Sequence, residues 1–185
     1  MTTDIILCSA SPRRKELLEK RGVKFDIYVS DADESIEKGT SPKDAVMLIS
    51  QRKALAVFKE LKAEDKIYIA ADTVVALGDR IFGKPKDEGD AFNQLKALSG
   101  KAHSVFTGVT IIKNTAVDTF AVESKVYFKN LSDGDIYSYI ATKEPMDKAG
   151  SYAIQGIGSK LVERFEGDYE NIVGLPTDEV LKRIN

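Results

Sequence analysis

Residues 67–77 read IYIAADTVVAL, an almost unbroken apolar run interrupted by one carboxylate, Asp72, and closed by a Gly78-Asp79 turn. Its length and β-branched content make it the strongest strand signal in the chain. What flanks it decides the fold class. Upstream, Ile5 to Ser9 is a short buried strand, and Ser11-Pro12 opens a helix, with Ser11 placed to cap and Pro12 suited to the first helical position. Leu17 and Leu18 supply the apolar face of that helix, and Gly22 ends it. Phe25 to Val29 alternates as a half-buried strand would, and the acidic loop Asp31-Ala32-Asp33-Glu34 follows. Ser41-Pro42 with Asp44 starts a second helix that runs to about Leu61.

Downstream, Asp87 starts a helix that Ser99-Gly100 terminates. Two long strands follow, Ala102 to Ile112 and Thr119 to Phe128, joined across Lys113 to Asp118. Ser132 with Asp135 opens a helix that stops before Pro145, Lys160 to Phe165 is a strand, Gly167-Asp168 a turn, and Pro176 starts a terminal helix. Strands and helices alternate, and the central hairpin breaks a purely parallel pattern. The expectation is an α/β domain with a mixed sheet, one domain over 1–185.

Composition narrows the function. The 27 basic and 29 acidic residues leave a net charge of -2, so no bulk field draws nucleic acid or an anionic membrane, and phosphate binding has to come from a local patch. With one cysteine, Cys8, no intrachain disulfide forms, and the short apolar run near the N-terminus lacks the basic flank of a signal peptide. The expected compartment is the cytoplasm. Base rates for soluble proteins favour a homodimer.

Four features carry chemistry. SASPRR puts Arg13 and Arg14 in the first turn of a helix, whose free amides attract anions and whose dipole disfavours cations. The dipole penalty is roughly 0.3–1 kcal/mol per arginine, and a bound anion would reverse its sign. The alternative is a pair of solvated arginines. Asp72 is a carboxylate in an apolar strand, which needs a metal, a cation or amide donors; it reads equally as a metal ligand or general base and as a structural cap beside Thr73. The acidic loop with Asp31, Asp33 and Glu34 offers oxygen ligands to a hard cation such as Mg²⁺, or is merely solvated. Lys53, Lys84 and Lys148 stand by helix, glycine or proline positions where surface lysines are common. Gln155 lies in a glycine-rich stretch of tight turns. There is no P-loop and no G-x-G-x-x-G motif, and a lone His103 excludes a His/Cys zinc site.

Together the pieces resemble the Maf family, house-cleaning nucleotide pyrophosphatases named for septum formation inhibition. The matching stretches are SASPRRKELL at 9–18, DE at 33–34, QRKA at 51–54, AADTVV at 70–75, GKP at 83–85, LSGKAHSV at 98–105, KEPMDKAGSYAIQG at 143–156 and GDYENIVGLP at 167–176. Departures are mild: Ser151 replaces a common alanine, and Glu170-Asn171 vary a loose position.

The resemblance implies a two-lobed α/β fold around an elongated mixed sheet, related to inosine triphosphate pyrophosphatases, with the site in the cleft between lobes. It implies Mg²⁺ or Mn²⁺ as cofactor and a nucleotide as the small-molecule partner. It assigns Asp72 as catalytic proton acceptor and metal ligand, Glu34 as an acidic position near the metal, and Ser9, Arg13, Arg14, Lys53 and Lys84 as triphosphate holders. Arg13, Thr73 and Gln155 match positions that sort substrates. Because Arg13 stands where the 7-methyl-GTP branch has an aromatic residue, the chain resembles the dTTP/UTP branch. The rival reading is a nucleotide-binding regulator of division with little turnover.

Overall fold

The computed structural model describes residues 4–29 and 31–184. In chain order these form β1 (Ile5–Leu7), α1 (Pro12–Lys20), β2 (Asp26–Ile27), α2 (Pro42–Leu61), β3 (Ile67–Leu77), β4 (Arg80–Phe82), α3 (Glu88–Leu98), β5 (Ala102–Lys113), β6 (Ala116–Phe128), α4 (Asp133–Ala141), β7 (Val162–Glu166), α5 (Tyr169–Val173) and α6 (Thr177–Ile184). Short 3₁₀ turns fill the stretch between α4 and β7. The strands are ordered β2-β1-β3-β5-β6-β7, with β4 on β3. β1 pairs in parallel with β2 and β3, whereas β3–β4 and β6–β7 are antiparallel, so the sheet is mixed as read.

The chain divides into two compact units. The first takes the described residues up to Thr73, with Thr107–Val122 and the residues from Gly174 on; the second takes Val74–Phe106 and Glu123–Val173. In the first unit, α2 lies over the strands. Ile6, Cys8, Ala54, Val57, Tyr68, Ala70 and Ile112 form a buried cluster, flanked by Leu55, Phe58 and Leu61. Each large aliphatic side chain so buried contributes roughly 1.5–3 kcal/mol. The ring of Phe58 meets Tyr68 edge-on at 5.3 Å.

The helix comes close because Gly108 on β5 has no side chain: a Cβ there would lie 2.3 Å from the Val46 carbonyl oxygen. One helical turn further along, Ser50 Oγ, which is buried, meets Thr110 Oγ1 at 3.0 Å. The N-terminus of α2 is capped as its sequence predicts, Ser41 Oγ accepting the Asp44 amide at 3.1 Å.

The second unit packs α3 and α4 together. Ser132 and Asp135 close a reciprocal capping box on α4, and Asp87 caps α3 by accepting the Asp90 amide. Its core includes an aromatic cluster of His103, Phe128 and Tyr152, with His103 Nε2 2.8 Å from Tyr152 Oη. Burial pushes this imidazole down to about 4, against a partial opposing pull from the Lys101 backbone.

Several local expectations change. The half-buried strand over Phe25 to Val29 shrinks to Asp26–Ile27, both exposed, because β2 is an edge strand paired on one side only. Ser11 holds the N-cap position of α1 with extended backbone, but its side chain makes no capping bond. Its amide is instead taken by Ser9 Oγ at 3.2 Å. The β5–β6 connection is a two-residue turn, Asn114 and Thr115 both at positive φ, so both strands extend further toward the turn than read. The short elements β4 and α5 lacked the length for a periodic signal.

Candidate active site

The site residues of the first unit gather where β1 ends and α1 begins, beside the middle of β3. At this junction the chain leaves β1 through Cys8 and Ser9 and turns into α1 at Pro12. The turn brings Arg14 back over the strand end. Its Nη1 donates to Ser9 Oγ at 3.1 Å, its Nη2 to Thr73 Oγ1 at 3.1 Å, and its Nε to the Gly174 carbonyl at 2.9 Å. Ser9 itself is buried.

Since Arg14 donates to Thr73, the Thr73 hydroxyl proton has to point elsewhere. Thr107 Oγ1 lies 2.9 Å away and the Gly174 carbonyl 3.5 Å away. Gly174 holds a φ of 133°, a backbone setting that side chains resist, and so aims its carbonyl at the guanidinium.

All three of these acceptors are neutral oxygens. Burial pushes the guanidinium below its ordinary pKa; the charge of Asp72 opposes this, that of neighbouring Arg13 adds to it, and Glu34 opposes it again. A partly desolvated cation that is immobilised by neutral groups is a ready receptor for an anion.

Asp72 lies between buried Ala71 and Val74 on β3. Its Oδ1 accepts from Lys53 Nζ at 2.9 Å, the two side chains being 14% and 18% exposed. The same ammonium reaches Glu34 Oε1 at 3.0 Å, although Glu34 is 61% exposed. Lys53 reaches this point because it extends from α2, seated against β5 at Gly108. The alternative of Asp72 as a bend cap gives way to a carboxylate pair held by one lysine. Asp31 is exposed and outside this trio, and Asp33 is engaged by Ser35.

This donor set suits a divalent cation. Among the described residues no three His, Cys, Asp or Glu side chains form a metal cage. Two carboxylates match Mg²⁺, which binds through one or two carboxylates and completes its shell with water and substrate phosphates.

The second unit carries the other sequence-predicted residues. Lys84 is exposed, in the loop after β4, where the Gly83 carbonyl accepts the Gly150 amide at 3.1 Å. Gln155 is half-buried and begins the 3₁₀ turn Gly156–Leu161. That turn is fixed by Glu144, whose two carboxylate oxygens accept the amides of Ile157 and Gly158 at 3.1 and 2.8 Å. Lys148 donates to Asp147 and to the Glu144 carbonyl. Sequence reasoning missed Thr107, Glu144 and the Gly174 carbonyl. A backbone oxygen leaves no mark in composition, although glycine in GDYENIVGLP did signal a turn.

A family model described as Maf-like protein matches residues 4–185, and the chain belongs to the Maf family. Among curated relatives, a protein of Bacillus cereus named dTTP/UTP pyrophosphatase is 48% identical over 180 residues, covering 97% of this chain and 93% of that one. A protein of the same name from Caldicellulosiruptor bescii is 50% identical over 177 residues, covering 93% and 88%. Among solved structures, the Staphylococcus aureus Ham1 protein superposes with a TM-score of 0.50 at 13% identity, over 86% of this chain and 80% of that one. That likeness is one of fold, and agrees with the mixed α/β sheet expected from the sequence.

Proposed function

We propose that this chain is a nucleoside triphosphate pyrophosphatase that hydrolyses dTTP and UTP to the nucleoside monophosphate and pyrophosphate. The observation that carries the reading is the pairing of an anion receptor, Arg14 held by Ser9, Thr73 and Gly174, with a carboxylate centre, Asp72, in one unit. The name shared by relatives 48% and 50% identical supports the substrate class. A pure nucleotide-binding regulator gains nothing from a carboxylate facing a polyanion.

In this reaction water attacks a phosphorus atom of the anhydride, and Asp72 accepts the proton. The P–O bond to the leaving group breaks, and pyrophosphate departs with the bonding electrons. Arg14, with Arg13, holds the phosphate oxygens and offsets charge that grows on the leaving group. Lys53, whose ammonium lies 2.9 Å from Asp72 Oδ1, holds that carboxylate in place in the resting protein. Asp72 and Glu34 would hold a Mg²⁺ or Mn²⁺ ion, which when bound supplies positive charge to the phosphates and lowers the pKa of water.

Lys84 is proposed to add a further phosphate contact, and Thr73 and Gln155 to take part in base selection; these roles follow the family resemblance. A pocket whose polar groups match a pyrimidine edge rejects purines by leaving buried donors and acceptors unpaired. No helix among the described residues is long and apolar enough to cross a membrane. The proposed compartment is the cytoplasm, supported by a single cysteine, which can form no intrachain disulfide. A homodimer is proposed on base rates, and light scattering after gel filtration checks it.

The deciding experiment is pyrophosphate release with Mg²⁺ across dTTP, UTP, CTP, GTP, ITP and 7-methyl-GTP. Turnover led by dTTP and UTP, with monophosphate as co-product, is the expected result. GTP or ITP outrunning both would overturn the branch assignment, and no turnover of any triphosphate with Mg²⁺ or Mn²⁺ would favour the regulator.

A further inference from the structure

Glu34 raises a positional problem. It lies in a stretch between β2 and α2 without regular hydrogen-bonded structure, and it is largely exposed, yet its carboxylate meets Lys53 at 3.0 Å. Loops of this kind sample many conformations unless something ties them.

The tie is Arg52, the residue before Lys53 on α2. Its Nη1 donates to the carbonyl oxygens of Asp33, at 3.3 Å, and Ser35, the residues on either side of Glu34. The same nitrogen is 3.7 Å from Asp33 Oδ2. Asp33 closes the turn from within: Oδ1 accepts the Ser35 amide and Oδ2 the Ser35 hydroxyl, each at 2.9 Å. Those two bonds first, and the charge of Arg52 after them, hold the Asp33 carboxyl below its ordinary pKa.

The acidic stretch thereby divides its labour. Asp33 is occupied in shaping the turn, and Glu34 is the carboxylate presented to the cluster. Adjacent residues on a helix point roughly 100° apart, so Arg52 grips the backbone of the stretch while Lys53 takes its side chain and also Asp72.

We propose that Arg52 is a positioning residue: with Asp33 and Ser35 it forms a clasp that presents Glu34 to the Lys53–Asp72 pair, and so sets the divalent-cation dependence of the reaction without being a ligand. The proposal rests on the reading of the chain as a metal-dependent pyrophosphatase.

Its test uses Arg52→Ala, Arg52→Lys, Asp33→Asn, Glu34→Gln and the Arg52→Ala/Glu34→Gln double variant. The first readout is amide hydrogen exchange in protein free of metal and nucleotide. Arg52→Ala and Asp33→Asn should speed exchange at residues 33–36 about 10-fold while leaving the core of α2 unchanged.

The second readout is the Mg²⁺ concentration giving half-maximal pyrophosphate release from dTTP. Arg52→Ala should raise it about 10-fold, as loss of an outer support of a metal ligand does, with Arg52→Lys recovering part. The double variant should be no worse than Glu34→Gln alone. Unchanged exchange at 33–36, unchanged Mg²⁺ dependence, or effects that multiply in the double variant would each overturn the clasp. If the wild-type protein turns over no triphosphate, the functional reading fails, and the exchange readout still decides whether the clasp exists.

Discussion

Arg14 and Lys53 belong to one unit and are held in opposite ways. Arg14 is fastened by a serine hydroxyl, a threonine hydroxyl and a backbone carbonyl, none of which carries charge. Lys53 is fastened by two carboxylates. In the first case the geometry is fixed and the charge left to be used; in the second the charge is spent on holding two acids together. A site for a polyanion and a cation needs both kinds of grip, and the difference tells which side chain is ready for substrate before substrate arrives.

The largest effect expected from breaking this arrangement is at Asp72. Asp72→Asn keeps the shape and removes the base, and turnover of dTTP should fall by roughly 10²–10⁴-fold with the melting temperature retained. Activity within a few-fold of wild type would remove Asp72 from the mechanism. Arg14→Met tests the other grip. Steady-state kinetics should show kcat/KM lower by about 100-fold, while stability changes little, because a desolvated charge disappears along with its hydrogen bonds.

Lys53→Met should behave differently, since it strands Asp72 and Glu34 without their cation. Urea unfolding should show a loss of about 2 kcal/mol. Adding Asp72→Asn to that variant should restore part of the loss. Equal destabilisation by Arg14→Met and Lys53→Met would erase the distinction.

A last test sharpens the contrast from the second unit, where a buried ionisable group rests on a tyrosine hydroxyl and two aromatic rings. His103 is held neutral by burial, with its pKa pushed down to about 4. The unfolded chain therefore binds the proton first. Its contribution to stability is complete above about pH 6.5 and is lost as pH falls toward 4, at about 1 kcal/mol per pH unit within that window. Denaturation at stepped pH should show this acid limb flattened in His103→Gln, and an unchanged limb would assign it to carboxylates instead.

Legibility followed the length and chemistry of each element. The helix over Pro42–Leu61 and the strand over Ile67–Leu77 were read to within a residue or so, because caps and long apolar patterns agree there. Asp72 stood out because a carboxylate in an apolar strand demands a partner. The partner itself, Lys53, looked like any helical lysine until the fold brought residues 34, 53 and 72 together.

Hairpin strand β4 is three residues long, too short for any period to declare itself, whereas the alternation over Phe25 to Val29 overstated edge strand β2, which is two residues long. The grip on Arg14 was hidden for another reason: one of its three acceptors is main chain, which every residue possesses. Arg52 showed only as part of the QRKA stretch at 51–54, since its targets are carbonyls 17 and 19 residues earlier in the chain.

Gly108 has a meaning beyond packing. Where a helix rests on side chains, a neutral swap of one core residue for another of different size moves it by fractions of an ångström. Here the contact at Val46 is between two main chains, with no room for even one carbon atom. The depth of α2 is thereby indexed to a dimension that substitution in the surrounding core does not alter. Lineages can rewrite much of the apolar interior and still deliver Lys53 to the same height above the sheet.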